Sequence, residues 1–267
     1  MNRGVLSLFL RKLGLIKVAD RARFILHSGY YRRVNEEFRK ANPAIALPPD
    51  YLMYESYRLD YEKYYHGGLQ TAKWLISLLR PHLELGGVRI LDWGCGPARV
   101  IRHLPSILGS ENQYYGTDAN LESVRWCNET FPEIQFVQNE MEGELNFPQD
   151  HFNLIYGISV LTHLSDDLHE KWIQELQRVL KPDGVLLVTT QGLNFRGKLS
   201  IAEKKLFDRG HLVIRGRTTL GHRTFSAFHP VPFMKALFSS YQILEHQVPT
   251  LVEGKALPQD IWILKKP

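Results

Sequence analysis

The chain has 267 residues, 44% of them apolar, 11% aromatic and 23% charged, which suffices to fill a core and excludes extensive disorder and collagen-like or low-complexity architecture. Two cysteines, Cys95 and Cys127, are too few for a disulfide framework or a four-thiolate metal site, and no run approaches the ~18 apolar residues of a membrane span. The net charge of +5 is uneven: residues 1–40 carry +7, residues 41–195 carry −9, residues 196–223 carry +6 and the rest +1, so the acidic middle disfavours a phosphate backbone as partner.

In chain order, Val5, Phe9, Leu13 and Ile16 recur at helical spacing among Arg3, Arg11, Lys12 and Lys17. This pattern lacks the apolar stretch and cleavage site of a secretory signal. Residues 1–17 read either as a basic amphipathic helix lying on an anionic membrane or as a helix whose stripe packs on the protein. A second helix is predicted over 18–40, ending before Asn42-Pro43, and Leu47-Pro48-Pro49 reads as an extended connector. Tyr64-Tyr65-His66-Gly67-Gly68 reads as a lid or as the start of the next helix. Residues 1–67 are thus expected to form a helical extension and lid, and residues 68–267 the main domain.

From Gly68 onward, helices alternate with short apolar runs. Helices are predicted over 69–80, 98–108, 120–131 with Asn120 as N-cap, 166–180 and 231–240. Strands are predicted over 88–93, 114–117, 134–138, 152–158, 185–190, 241–248 and 260–264, with Lys181-Pro182-Asp183-Gly184 as a turn. Alternation of this kind implies a doubly wound α/β fold with a mostly parallel sheet. A basic insertion lies at about 192–230.

The sharpest motif is Leu91-Asp92-Trp93-Gly94-Cys95-Gly96-Pro97-Ala98-Arg99, at a strand-to-helix junction. Its glycines permit a tight turn and close approach of a ligand to the backbone. Arg99 stands where a dinucleotide fingerprint wants a third glycine, and Asp92 suits a cationic amino group better than a diphosphate. Asp118, 22 residues beyond Gly96 at the next strand's tip, is placed to accept hydrogen bonds from ribose hydroxyls. Glu140 and Met141 follow the third strand, offering a polar hook and an apolar flank to an adenine. An amino acid end, a ribose and an adenine together describe S-adenosylmethionine.

With Gly116-Thr117-Asp118, Val160-Leu161-Thr162-His163-Leu164 and Leu180-Lys181-Pro182-Asp183-Gly184 in that order, the chain resembles the class I S-adenosylmethionine-dependent methyltransferases. The resemblance spans about residues 88–190. It implies a Rossmann-like, seven-stranded sheet with an antiparallel final strand, and S-adenosylmethionine as cofactor. It implies cofactor contacts from Asp92, Gly94, Cys95 and Gly96, from Asp118 and Ala119, from Glu140 and Met141, and from Ile158 and Ser159. The family often carries Gly at Ala98 and Asp at Glu140 and Asn153.

His163, just past the fourth strand, is the first candidate for a base; its other reading is a structural histidine capping a helix. His222, Arg223 and His229 in or beside the insertion are the candidates for touching substrate, while Asp166-Asp167 reads as the negative start of a helix. No His/Asp/Glu clustering points to a metal. Arg196, Lys198, Lys204, Lys205, Arg209, Arg215, Arg217 and Arg223 either recognise an anionic acceptor or form a solvated basic face. The expectation is O-methylation of a small molecule or glycan precursor by a cytoplasmic enzyme, at the inner membrane face if residues 1–17 lie on lipid. The alternatives are a nucleic-acid methyltransferase, against which stands the absence of an Asp/Asn-Pro-Pro-aromatic element at Gly157-Ile158-Ser159-Val160, and a non-catalytic S-adenosylmethionine-binding subunit.

Overall fold

A computed structural model describes residues 13–216, 221 and 223–267. The expected helix over 1–17 therefore falls, up to residue 12, outside the described residues. Two compact units divide the chain: Val18–Asn139, and Glu140–Pro267 with the described residues up to Lys17.

The unit Val18–Asn139 opens on a long helix, α1 (Ile16–Ala41), which ends before Pro43 as predicted, followed by a turn at 43–45, where the Ile45 N–H donates to Asn42 O, and an extended stretch through Pro49. A short helix that the sequence reading missed, α2 (Asp50–Ser56), comes next. Helix α3 (Tyr61–Leu79) begins eight residues before the predicted start, because the Asp60 side chain accepts the Lys63 N–H and caps it. Tyr64–Gly68 therefore lies inside a continuous helix, and Tyr64 is fully buried. The strands β1 (Arg89–Trp93), β2 (Gln113–Asp118) and β3 (Ile134–Gln138) pair in parallel, with Leu91 opposite Tyr115 and Gly116 opposite Phe136. The helix predicted over 98–108 is broken: Ala98 takes φ 58°, a 3-10 turn covers Ile101–His103, and only α4 (Leu104–Leu108) is α-helical. Helix α5 (Leu121–Thr130) starts on the predicted cap, with the Asn120 side chain accepting the Glu122 and Ser123 N–H groups.

The second unit contains β4 (Phe152–Gly157), α6 (Asp166–Val179) and β5 (Leu180–Thr190). Leu168, Trp172, Leu176 and Val179 of α6 are buried, as their spacing predicts. The predicted Lys181–Gly184 turn is absorbed into β5 as an irregularity, with Asp183 at φ 62° and its N–H donated to Lys266 O. The insertion folds as a 3-10 turn (Leu193–Lys198), α7 (Ile201–Asp208) and a separate hairpin of β6 (Val213–Arg215) and β7 (Ser226–Phe228). Phe195, Leu199, Phe207, Val213 and Phe228 form its own small core. Helix α8 (Val231–Leu237), β8 (Gln242–Gln247) and β9 (Asp260–Lys265) close the chain, β9 running antiparallel to both β5 and β8. The strand order is β3-β2-β1-β4-β5-β9-β8, a mostly parallel seven-stranded α/β sheet of Rossmann-like type preceded by helices.

Candidate active site

In the unit Val18–Asn139 the predicted cofactor residues gather at one turn. The strand β1 ends in Trp93, and the Gly94 and Cys95 N–H groups both donate to Thr117 O, at 2.8 and 2.9 Å. Gly94 and Gly96 take φ 74° and 51°, left-handed values that favour glycine. The Gly96 N–H donates to Asp118 Oδ2 and the Asn120 N–H to Asp118 Oδ1, both at 2.8 Å. Burial raises the Asp118 pKa and these two N–H donors oppose the rise. Asp92 is buried beside the same turn, and Ala119 O accepts the Gln138 side-chain amide. Burial, with Asp118 and Asp92 nearby, raises the thiol pKa values of Cys95 and Cys127, so neither is an activated nucleophile.

Three supports of this turn escaped the sequence reading. The Tyr64 hydroxyl donates to Pro97 O, so the aromatic run ahead of β1 props the turn from beneath. Gly68 lies against the next residues of the turn: a Cβ there would stand 2.1 Å from Arg99 O. The covering element is instead the end of α2, since a Cβ at Gly96 would lie 3.1 Å from Ser56 Cβ, and Arg99 stacks over Tyr57 at 4.4 Å. A Tyr-Tyr-His-Gly-Gly run inside a helix was the available signal for the first two; nothing in the pattern marked α2.

In the unit Glu140–Pro267, Glu140 is exposed and Met141 half-buried, with Met141 O accepting the Trp172 indole N–H at 3.1 Å. Ser159 has φ 67°, a strained value for a non-glycine residue, and a relay of hydrogen bonds holds it. Its N–H donates to Thr189 Oγ1, which donates to Gln259 Oε1, and Gln259 Nε2 donates to Ser159 Oγ. Ser159 Oγ also meets Thr162 Oγ1 at 2.9 Å, and Thr162 donates on to Ser159 O. Thr189 and Gln259 are distant in sequence, which hid them.

His163 lies in the 3-10 turn Leu161–His163, and its Nδ1 is 3.0 Å from Phe225 O. Donation to that carbonyl puts the proton on Nδ1 and makes Nε2 the basic nitrogen. The insertion returns to the same place: Gly221 N donates to His163 O, and a Cβ at Gly221 would lie 3.0 Å from Met141 Cε. Met141, His163, Gly221 and Phe225 thus form one cluster, with Arg223 between the last two in sequence. His222 lies outside the described residues.

His229 is not at this surface. It is 1% exposed, and its Nε2 stands 3.0 Å from Nε2 of His169, whose Nδ1 is 2.7 Å from Ser165 O. With His169 donating through Nδ1, its Nε2 accepts from His229, whose Nδ1 is left buried without a partner. Burial pulls both pKa values down, so the pair is neutral and internal. Insertion cations are also engaged within it. Arg196 forms a bidentate pair with Asp208, and Arg215, 7% exposed, forms one with Glu203. Among the described residues, no three His, Cys, Asp or Glu side chains group as a metal site, and no helix is long and apolar enough to cross a membrane.

Residues 90–184 match the family model described as a methyltransferase domain. The chain is similar to a phosphoethanolamine N-methyltransferase of Plasmodium falciparum, 30% identical over 127 residues that cover 46% of this chain and 45% of that protein. It is 24% identical over 137 residues to a tRNA U34 carboxymethyltransferase of Campylobacter curvus, covering 50% and 44%. The solved S-adenosylmethionine-dependent methyltransferase of Methanosarcina mazei superposes with a TM-score of 0.56 at 18% identity, covering 71% of this chain and 96% of that one. Residues 90–184 therefore match a methyltransferase domain, the fold is that of the solved S-adenosylmethionine-dependent methyltransferase, and the cofactor this implies is S-adenosylmethionine. The turn fits it: Gly94 and Gly96 keep side chains out of the ligand's path, and Asp118, only half-buried, has acceptor capacity beyond its two backbone donors. The matched regions span less than half the length of these curated relatives.

Proposed function

We propose that this protein transfers a methyl group to an oxygen of a small molecule or glycan precursor that carries a negative charge. Bound S-adenosylmethionine would supply the electrophilic methyl on its sulfonium. Asp118 would accept the ribose hydroxyls, Asp92 would face the amino end, and the Gly94–Gly96 turn would let the backbone close on the methionine part. The family resemblance also implies cofactor contacts from Ala119, Glu140, Met141, Ile158 and Ser159. His163, through Nε2, would take the proton from the acceptor hydroxyl as the carbon–oxygen bond forms. The observation that carries the reading is the Asp118 carboxylate fixed by the turn's own N–H groups.

An anionic acceptor is supported by the basic insertion, in which Lys205 and Arg209 are exposed on and beside α7 and Arg223 adjoins the His163 cluster. His222 belongs to the same proposal by its place in the sequence. Work in the cytoplasm is part of the reading. A membrane contact through residues 1–17 rests on sequence pattern, since most of that stretch lies outside the described residues.

Calorimetry with S-adenosylhomocysteine tests the cofactor half. The wild type should bind, and Asp118→Ala should lose roughly 1.5–3 kcal/mol, the scale of hydrogen bonds to a charged group. Equal affinities would remove Asp118 from the site, and binding of NAD in place of S-adenosylhomocysteine would overturn the reading. A second reading, methylation of RNA, is favoured by two relatives whose names specify tRNA. Labelled methyl appearing in tRNA rather than in small-molecule fractions would decide for it, and cofactor binding without turnover would point to a subunit serving a partner.

A further inference from the structure

Helix α1 has two apolar sides. Its inner side is fastened to its own unit: Phe24 meets Tyr51 and Tyr54 edge-on at 5.2 Å, Tyr54 OH donates to Asp20 Oδ1, and the Tyr61 N–H donates to Asn35 Oδ1. On the outer side Val18, Ile25, Leu26 and Tyr30 are 66%, 63%, 72% and 79% exposed. At 3.6 residues per turn these four fall within about 140° of arc, opposite Phe24, Tyr31, Asn35 and Phe38. Ala22 and Gly29 lie among them and are exposed too. Scattered surface apolar residues are ordinary, but a contiguous ridge on a firmly held helix marks an interaction surface.

We infer that this ridge docks on the surface of an anionic lipid bilayer. The argument for that occupant is charge. Arg21 and Arg32 border the ridge on one side and Arg23 on the other, all exposed, with Arg32 also 3.1 Å from Glu36, and residues 1–40 carry +7. Long basic side chains flanking an apolar face reach up to headgroups while the face enters the acyl boundary, the arrangement of an in-plane interfacial helix. A second copy of the same ridge would bring two strongly basic segments together, which repel. The inference stands independently of the methyl-transfer reading, for it uses none of the cofactor or acceptor residues.

Sedimentation of the full chain with vesicles tests it. Vesicles of phosphatidylcholine with about a third phosphatidylglycerol should carry the protein down, and pure phosphatidylcholine vesicles should do so at least tenfold less, because each basic side chain near an anionic surface adds to binding. The double variant Ile25→Gln/Leu26→Gln should lose at least tenfold in partitioning, while its melting temperature and S-adenosylhomocysteine affinity stay at wild type. No binding to anionic vesicles would overturn the inference. So would wild-type partitioning by the double variant with binding abolished on removal of residues 1–12, which would place the contact in that segment alone. A dimer in analytical ultracentrifugation that the same double variant dissociates would assign the ridge to a second copy and overturn it as well.

Discussion

Around Gly96 the chain is held largely by its own backbone. Two N–H groups converge on Thr117 O, two more on the Asp118 carboxylate, and Tyr64 reaches a carbonyl of the turn. In the insertion between β5 and α8 the holding is done by charged side chains. Ser200 and Glu203 cap α7 reciprocally, Arg215 grips Glu203 and Lys198 O, and Arg196 grips Asp208. The contrast teaches how to read each region. A site made of backbone leaves its mark as glycines at fixed spacing, whereas a region rich in arginine has to be emptied of its internal partners before its charge can be offered to a ligand.

The largest effect should come from the turn's support. Gly68→Val puts a side chain where Arg99 O already sits, and overpacking against backbone should cost roughly 3 kcal/mol or more in urea unfolding, with S-adenosylhomocysteine binding lost alongside. A wild-type unfolding midpoint would show that helix and turn are not coupled. Next comes the insertion. Arg215→Ala strands a partly buried Glu203 and should cost about 2 kcal/mol, with cofactor affinity unchanged. Glu203→Gln/Arg215→Ala should cost less than Arg215→Ala alone. A fall in cofactor affinity in either variant would break the distinction drawn between the two regions.

Acid should act on both regions, with different groups. Burial, helped by Arg102, pulls the His103 pKa down to about 4, and burial lowers His169 and His229 too. Below the ordinary histidine pKa of about 6.5 the unfolded chain takes up protons that the native state refuses, so stability falls with pH, by on the order of 1 kcal/mol per histidine for each unit. For Glu203, burial raises the pKa, but Arg215 and Ser200 outweigh it and bring the carboxyl down to about 2. Its contribution is therefore intact above the ordinary glutamate range and disappears only as pH falls toward 2. Melting curves from pH 7.5 to 3 should show the histidine loss first, and a flat melting temperature between pH 7 and 5 would contradict the neutral, buried state of all three histidines. The smallest effect belongs to Ala98, buried at φ 58°. Ala98→Gly relieves a left-handed alanine and should gain up to about 1 kcal/mol with the turn's function retained. A clear loss would mean that the methyl's packing outweighs the backbone strain.

Most of the sheet was legible because its strands are short apolar runs set between turn signals, and Asn120 marked its helix by cap chemistry alone. The glycine turn was legible for the same local reason: Asp92, Gly94, Gly96 and Asp118 sit at the ends of two neighbouring strands. Helix α2 was not, since seven residues with three buried apolar side chains resemble any loop. The helix over 98–108 was misread because alanine gives no warning of a left-handed backbone. The relay through Thr189 and Gln259 joins positions 70 residues apart, and the burial of His229 depends on a histidine 60 residues away. Local pattern carries none of that.

The contact between Gly68 and Arg99 sets where the protein can be cut. Helix α3 lies entirely outside residues 90–184, yet its bare backbone is the wall on which the turn rests, and Tyr64 from the same helix ties off Pro97. A fragment trimmed to the recognisable domain would keep every motif residue and lose the floor beneath them. A piece that keeps this support must include Asp60, whose side chain caps that helix, so the recognisable domain is smaller than the region that holds its turn in place.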